Sequence, residues 1–221
     1  MTSSAVKVRP MQSTDLASVV AEHQESLPDG LYARLGGRFL HTYHSAYLAS
    51  PGTASFVAEL DTQPVGFVTG IISAAAHRLA MKAAWPRLAA AAALAALQRP
   101  ATLRLRLLGP TAASCLRHSA QLLRPDTPSV GTITATGVLT YLAVTATARG
   151  RGVGDALLQT FLHQAQLHGC TRVTLATQAG AEGAVSFYAQ RGWTAESVHH
   201  TATGRPLQVM AWTYPPGEVA P

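Results

Sequence analysis

Leu139-Thr-Tyr-Leu-Ala-Val144, a short polar link, Arg149-Gly-Arg-Gly-Val-Gly154, and then Asp155 through Gly169 form the stretch on which the fold turns. The first six residues read as a buried strand. From Val153 onward, apolar residues fall at Val153, Leu157, Leu158, Phe161, Leu162 and Ala165. That alternation of three- and four-residue steps lines one face of a helix. Gly169 stands where a helix takes a left-handed stop. Gly152 and Gly154 therefore lie at a strand-to-helix junction, where a side-chain-poor backbone can come close to a ligand. The unpaired amides at the helix start favour an anion, and Arg149 and Arg151 add positive charge beside them. The local physics predicts a pyrophosphate site.

The spacing narrows the choice of pyrophosphate. Gly150, Gly152 and Gly154 alternate, which is not the G-x-G-x-x-G of a dinucleotide fingerprint. No Gly-Lys-Ser/Thr follows, which excludes the phosphate loop of the ATPase kind. The pattern Arg149-x-x-Gly152-x-Gly154, after a strand ending Leu142-Ala-Val144, resembles the acetyl-coenzyme A loop of the GNAT family of N-acetyltransferases. Arg172 to Thr177 is β-branched and apolar and reads as the next strand. Ala184-Val-Ser-Phe187-Tyr188-Ala-Gln-Arg-Gly192-Trp193 is similar to the family's A-x-x-F-Y-x-x-x-G-F segment, with tryptophan in the last place. Two positions depart from the family pattern. Ala181 stands where asparagine is common, and Ala146 where proline is.

The remaining chain is consistent with that resemblance. Val6 to Arg9 alternates as a first strand. Ser13 or Thr14 can cap a helix that starts near Asp15, with Leu16, Val19 and Val20 inward. Leu27-Pro-Asp-Gly30 breaks it. Leu31, Leu35, Phe39, Tyr43 and Tyr47, at intervals of four, mark a second helix that ends at Pro51-Gly52. Ser55–Leu60 and Pro64–Ser73 read as a hairpin about Asp61-Thr-Gln. The chain closes with strands over Thr194–His199 and Leu207–Tyr214, around the turn Thr203-Gly-Arg-Pro206. The fold class expected is α/β: a GNAT acetyltransferase fold with a mixed central sheet flanked by helices. Residues 1–221 read as a single acetyltransferase domain.

Between the third and fourth strands lies an insertion, 74–126, rich in alanine and leucine and helical in character. Pro86, Pro100 and Pro110 are expected to divide it into short helices. Leu103-Arg-Leu-Arg-Leu107 fits a strand equally well. The insertion holds eight basic residues, including Arg99, Arg104, Arg106, Arg117 and Arg124, against the single acid Asp126. The rest of the chain holds nine basic and ten acidic residues, so the net charge of +6 resides in the insertion. Such a segment can receive an acidic acceptor, steer a polyanionic cofactor or touch nucleic acid or anionic lipid. A solvated helical face is the plain alternative. With Trp85 as its one aromatic and no nucleic-acid motif, nucleic acid is disfavoured as a partner.

Cys115 and Cys170, far apart, read as reduced thiols rather than a disulfide framework. The N-terminus shows no apolar signal region, and the apolar run Leu88–Leu97 is too short to span a bilayer. A soluble, cytoplasmic protein is expected. The histidines, His199-His200 among them, lack metal-ligand spacing, so no metal is expected.

The resemblance implies a function. The fourth and fifth strands would splay near Val144, with the pantetheine arm of acetyl-coenzyme A entering as an added strand. Leu142, Ala143 and Val144, with the loop Arg149, Gly150, Arg151, Gly152, Val153 and Gly154, would bind this co-substrate. A main-chain amide of Leu142–Val144 would serve the oxyanion. Tyr188 would protonate the departing thiolate; without the family match it reads as a core aromatic. No carboxylate lies between Thr132 and Val144, where some members carry a glutamate. Glu22, His23, Glu25 and Glu182 are candidates for the base, each expected at the surface, and none is assigned. The acceptor is a small amine, an amino sugar or a peptide terminus, and relatives commonly form homodimers. In the family the acceptor is set by segments that correspond here to Glu22–Arg38 and His199–Gln208. The competing reading is a coenzyme A-binding sensor or interaction module without catalysis.

Overall fold

The computed structural model describes residues 5–28, 30, 32–98, 135–180, 184–201 and 204–215. Within them the strands are β1 (Lys7–Pro10), β2 (Thr53–Leu60), β3 (Gln63–Ile71), β4 (Thr136–Val144), β5 (Arg172–Gln178), β6 (Thr194–His200) and β7 (Pro206–Thr213). The helices are α1 (Leu16–Ser26), α2 (Gly37–Leu48), α3 (Ala74–Leu97), α4 (Val153–Leu167) and α5 (Ala184–Ala189). The strands make one mixed sheet in the order β1-β2-β3-β4-β5-β7-β6. Every neighbouring pair is antiparallel except β4 and β5.

The two faces of the sheet carry different layers. On one, α4 inserts Val153, Leu157, Leu158, Phe161, Leu162 and Ala165 into the main core, with Val68, Val173, Leu175 and Met210 from the strands. All six predicted apolar positions of α4 are buried. On the other face lie α1 and α2. Phe39, Tyr43 and Tyr47 of α2 pack with Leu35, from the preceding 3-10 turn, and with Met81 and Leu88 of α3.

Several expectations need correction. Pro86 does not divide the insertion: α3 runs unbroken through it for 24 residues. Proline in a helix interior costs about 3 kcal/mol. Here the surrounding alanines, the best helix formers, and the burial of Met81 and Leu88 on α2 offset that loss. Neither Ser13 nor Thr14 caps α1. Those residues form a 3-10 turn, and the Asp15 carboxylate accepts from the Gln12 amide at 2.7 Å while pairing with Arg9. The hairpin turn is two residues, not three. Asp61 and Thr62 both take positive φ, at 49° and 65°, and Gln63 already pairs with Leu60. The remainder of the insertion, Pro100, Pro110, the Leu103–Leu107 segment and the arginines from Arg99 to Arg124 included, lies outside the described residues. So do Cys115, Ala181, Glu182 and Leu31.

Candidate active site

The site is made where β4 and β5 part. They pair in parallel over three steps only, Thr136 with Arg172, Gly137 with Val173 and Val138 with Thr174. Beyond that, β5 stays with β7 to its end at Gln178, while β4 stays with β3 to Val144. A wedge therefore opens between them, from Leu139 onward. The opening starts well before Val144, near which the family resemblance implies it. A bulge marks the same spot. Thr69 faces Tyr141 and Gly70 faces Leu139, which leaves Thr140 without an opposite residue. Bulges bend a strand and re-aim its side chains.

The free edge of β4 is a row of main-chain groups. The Thr145 amide bonds to the Val65 carbonyl at 2.9 Å. Antiparallel alternation then points the main-chain groups of Ala143 at β3 and those of Leu142 and Val144 into the wedge. A Cβ built on Gly66 would lie 2.7 Å from the Ala143 carbonyl oxygen, consistent with that direction. Leu142 and Val144 thus keep their amides for the wedge, whereas Ala143 spends its own on the sheet.

At the mouth of the wedge, a 3-10 turn at Ala146–Ala148 leads into the glycine loop and α4. Gly150 and Gly152 have φ of 73° and 78°, and a Cβ at either would meet nothing within 4 Å. Backbone conformation, not space, is what calls for glycine there. Gly152 is the N-cap of α4 and offers no side chain to the first-turn amides, so those amides are open to an external anion. Gly154 plays a different part. A Cβ there would sit 3.3 Å from Phe187 Cζ, so its smallness lets α5 approach the first turn of α4. Val153 is buried beneath the turn, and Arg151 is exposed.

Arg149 folds back rather than outward. Its Nε donates to the Val144 carbonyl at 3.0 Å, and its guanidinium reaches Ser26 Oγ at 3.4 Å, at the end of α1. Ser26 Oγ in turn donates to the Glu22 carboxylate. Tyr188 lies in the main core on α5, beside Phe187 and Trp193. Burial pushes its phenol up to about 12. A phenol so placed stays protonated through neutral and mildly alkaline pH and is available as an acid.

Two of the candidate bases, Glu22 and His23, are not at the surface where the sequence reading expects them. Glu22 and His23 are buried, at 8% and 1% exposure, while Glu25 is exposed. Glu22, Glu25, Val19, Val57, Phe67 and Thr145 line a cleft of about 290 Å³ between α1 and the β3–β4 end of the sheet. His23 Nδ1 lies 3.0 Å from His44 Nε2, against Tyr141 of β4. His44 and Tyr141 were not singled out by their sequence neighbourhoods, since what joins them is contact among α1, α2 and β4. The fourfold spacing that buries Tyr43 was the nearest available signal. Among the described residues, no group of three His, Cys, Asp or Glu side chains converges as a metal site. Among them, too, no helix is long and apolar enough to cross a membrane.

Comparison with known proteins bears on this geometry. The sequence profile described as the acetyltransferase (GNAT) family matches residues 122–193, which span β4, the glycine loop, α4, β5 and α5. No curated protein matches the chain. Solved structures similar in fold include Ard1 from Thermoplasma volcanium, with a TM-score of 0.58 at 15% identity over 96% of this chain and 99% of that one. The ribosomal-protein-S18-alanine N-acetyltransferase from Escherichia coli aligns with a TM-score of 0.54 at 14% identity over 97% of each chain. An aminoglycoside 6'-N-acetyltransferase complexed with coenzyme A aligns with a TM-score of 0.60 at 12% identity, over 96% of this chain and 99% of that one. At such identities the likeness carries the fold.

Proposed function

We propose that the chain, which matches the acetyltransferase (GNAT) family model over residues 122–193, is an N-acetyltransferase that moves an acetyl group from acetyl-coenzyme A to a primary amine. The observation that carries this reading is the wedge between β4 and β5, with an uncapped, glycine-led helix start at its mouth. The residues present fit the co-substrate in two ways. An extended pantetheine arm needs an unpaired strand edge, and Leu142 and Val144 supply one. A pyrophosphate needs amides without a capping side chain over them, and the glycine-led start of α4 at Gly152 offers these.

Acetyl-coenzyme A supplies the activated acetyl thioester. The chain's own groups do the rest. One main-chain amide of this edge, Leu142 or Val144, donates to the carbonyl oxygen that gains charge during attack while the other stays with the pantetheine arm, a stabilisation commonly worth about 3 kcal/mol. Tyr188, protonated at working pH, gives its proton to the leaving sulfur. The acceptor amine attacks the thioester carbon, the carbon–sulfur bond breaks, and the amine's surplus proton leaves to solvent or a nearby base. No base is assigned. The fold neighbours named as a ribosomal-protein-S18-alanine N-acetyltransferase and an aminoglycoside 6'-N-acetyltransferase make a peptide terminus or an amino sugar the acceptors to try first.

A thiol-release assay with acetyl-coenzyme A against a library of primary amines tests the reading. Amine-dependent release of free thiol is expected. Calorimetric binding of coenzyme A with no release for any amine would favour the non-catalytic binding module instead.

A further inference from the structure

Asp155 occupies the third position of α4, inside the first turn whose amides are open at the wedge. A carboxylate there is favourable for the helix alone. For a turn that has to receive a diphosphate it is a problem, because the two anions compete for the same positive end of the helix. The fold answers this from outside α4. Arg191, just beyond α5, closes side-on on Asp155: Nε donates to Oδ1, and one terminal nitrogen donates to Oδ2 at 2.8 Å. Its other terminal nitrogen donates to the Phe187 carbonyl at 2.7 Å, and the guanidinium lies 3.8 Å above the Phe187 ring. Phe187 is the ring that faces Gly154. Phe187 thus holds the arginine by two contacts, carbonyl and ring, besides the carboxylate.

We propose that Arg191 is a positioning residue for the cofactor turn, which neutralises Asp155 and turns its oxygens away from the first-turn amides, so that these remain free for the diphosphate of coenzyme A. The inference rests on the proposed function, since it presumes that the turn binds that group. Arg191 touches neither thioester nor acceptor. Its effect passes through Asp155, and so it depends on the presence of that carboxylate.

That dependence gives the test. Coenzyme A binding is measured by calorimetry on the full chain for the wild type, Asp155→Asn, Arg191→Ala and the double variant, at low and at high salt, with circular dichroism to verify folding. Arg191→Ala, which bares the carboxylate, should bind about tenfold more weakly at low salt. Salt should narrow that deficit, because a charge repulsion is screened. Asp155→Asn should bind as the wild type does. The double variant should return to within about twofold of the wild type, because the anion that needed neutralising is gone. A pair that only braces the helices predicts the opposite, with Asp155→Asn as weak as Arg191→Ala and no recovery in the double variant. That result, or wild-type binding by Arg191→Ala, overturns the inference while leaving the function intact. Failure of the wild-type chain to bind coenzyme A overturns the function and the inference together.

Discussion

His23 Nδ1 and His44 Nε2 stand 3.0 Å apart in the layer between α1, α2 and the sheet. The His23 ring also lies 4.6 Å from that of Tyr141, and Phe67 flanks both histidines. One nitrogen of the pair has to donate and the other to accept, so the contact needs at least one neutral ring. Burial agrees, pushing His23 down to about 4 and His44 to about 3.

Acid should therefore destabilise the fold through this pair. In the unfolded chain both histidines take up protons near pH 6.5, while in the folded chain they resist until about pH 4 or lower. A lowered histidine pKa gives stability that is complete above pH 6.5 and is lost as pH falls toward 4. The slope is about 1.4 kcal/mol per pH unit for each histidine. Urea midpoints at pH 7.5 and pH 5 should differ markedly in the wild type. In His23→Gln/His44→Gln the difference should shrink, whatever the absolute stability of that variant. An equal pH dependence in both would show that the titrating groups lie elsewhere.

Tyr188→Phe separates the two roles open to this residue. A core aromatic that merely packs keeps its function as phenylalanine. A proton donor does not, and kcat should fall about 10²-fold or more with coenzyme A affinity unchanged. The pH profile adds a second check. Because burial pushes the phenol up to about 12, the wild-type rate should show no alkaline fall assignable to Tyr188 below about pH 10. Unaltered kcat in the phenylalanine variant removes Tyr188 from the chemistry.

The glycine loop can be tested position by position, because its glycines are glycine for different reasons. Gly152→Ala meets no neighbour, but it forces an L-residue to φ of 78°, at a cost of about 1–2 kcal/mol. The turn should rearrange, and coenzyme A should bind more weakly with little change in overall stability. Gly154→Ala keeps a helical backbone and instead presses on Phe187 at 3.3 Å, so its effect should be mild and read in stability. Equal losses of affinity in both would mean that the loop is recognised by shape alone.

The contrast between those glycines also shows what the sequence could and could not tell. Local patterns carried the elements they describe. The apolar spacing from Val153 to Ala165 gave the buried face of α4, whereas the fourfold series read as one helix from Leu31 is broken at Gly36, which leaves Leu35 in a 3-10 turn and only Phe39, Tyr43 and Tyr47 on α2. Pairing between distant segments was illegible. Nothing near Leu139 says that β4 leaves β5 after Val138, because that limit is set by β5 following β7. Glu22 and His23 read as helix-surface residues until α2 and β4 are laid over them. Pro86 misled because its own preference is local, while the packing that overrules it comes from α2.

Thr62 offers a last test, far from the site and independent of any function. Between β2 and β3 the chain turns in two residues, both left-handed, a geometry that matches the twist of a hairpin. Asp61 tolerates it. Thr62 is β-branched and pays for φ of 65° with steric strain at Cβ. Thr62→Gly should remove that strain and complete an Asp-Gly turn of the favoured kind. Glycine also gives the unfolded chain more freedom, which offsets part of the gain. A net stabilisation of about 0.5–1 kcal/mol is expected, read as a rise in the urea midpoint with an unchanged slope. A lower midpoint would mean that the threonine side chain makes contacts worth more than the strain it carries.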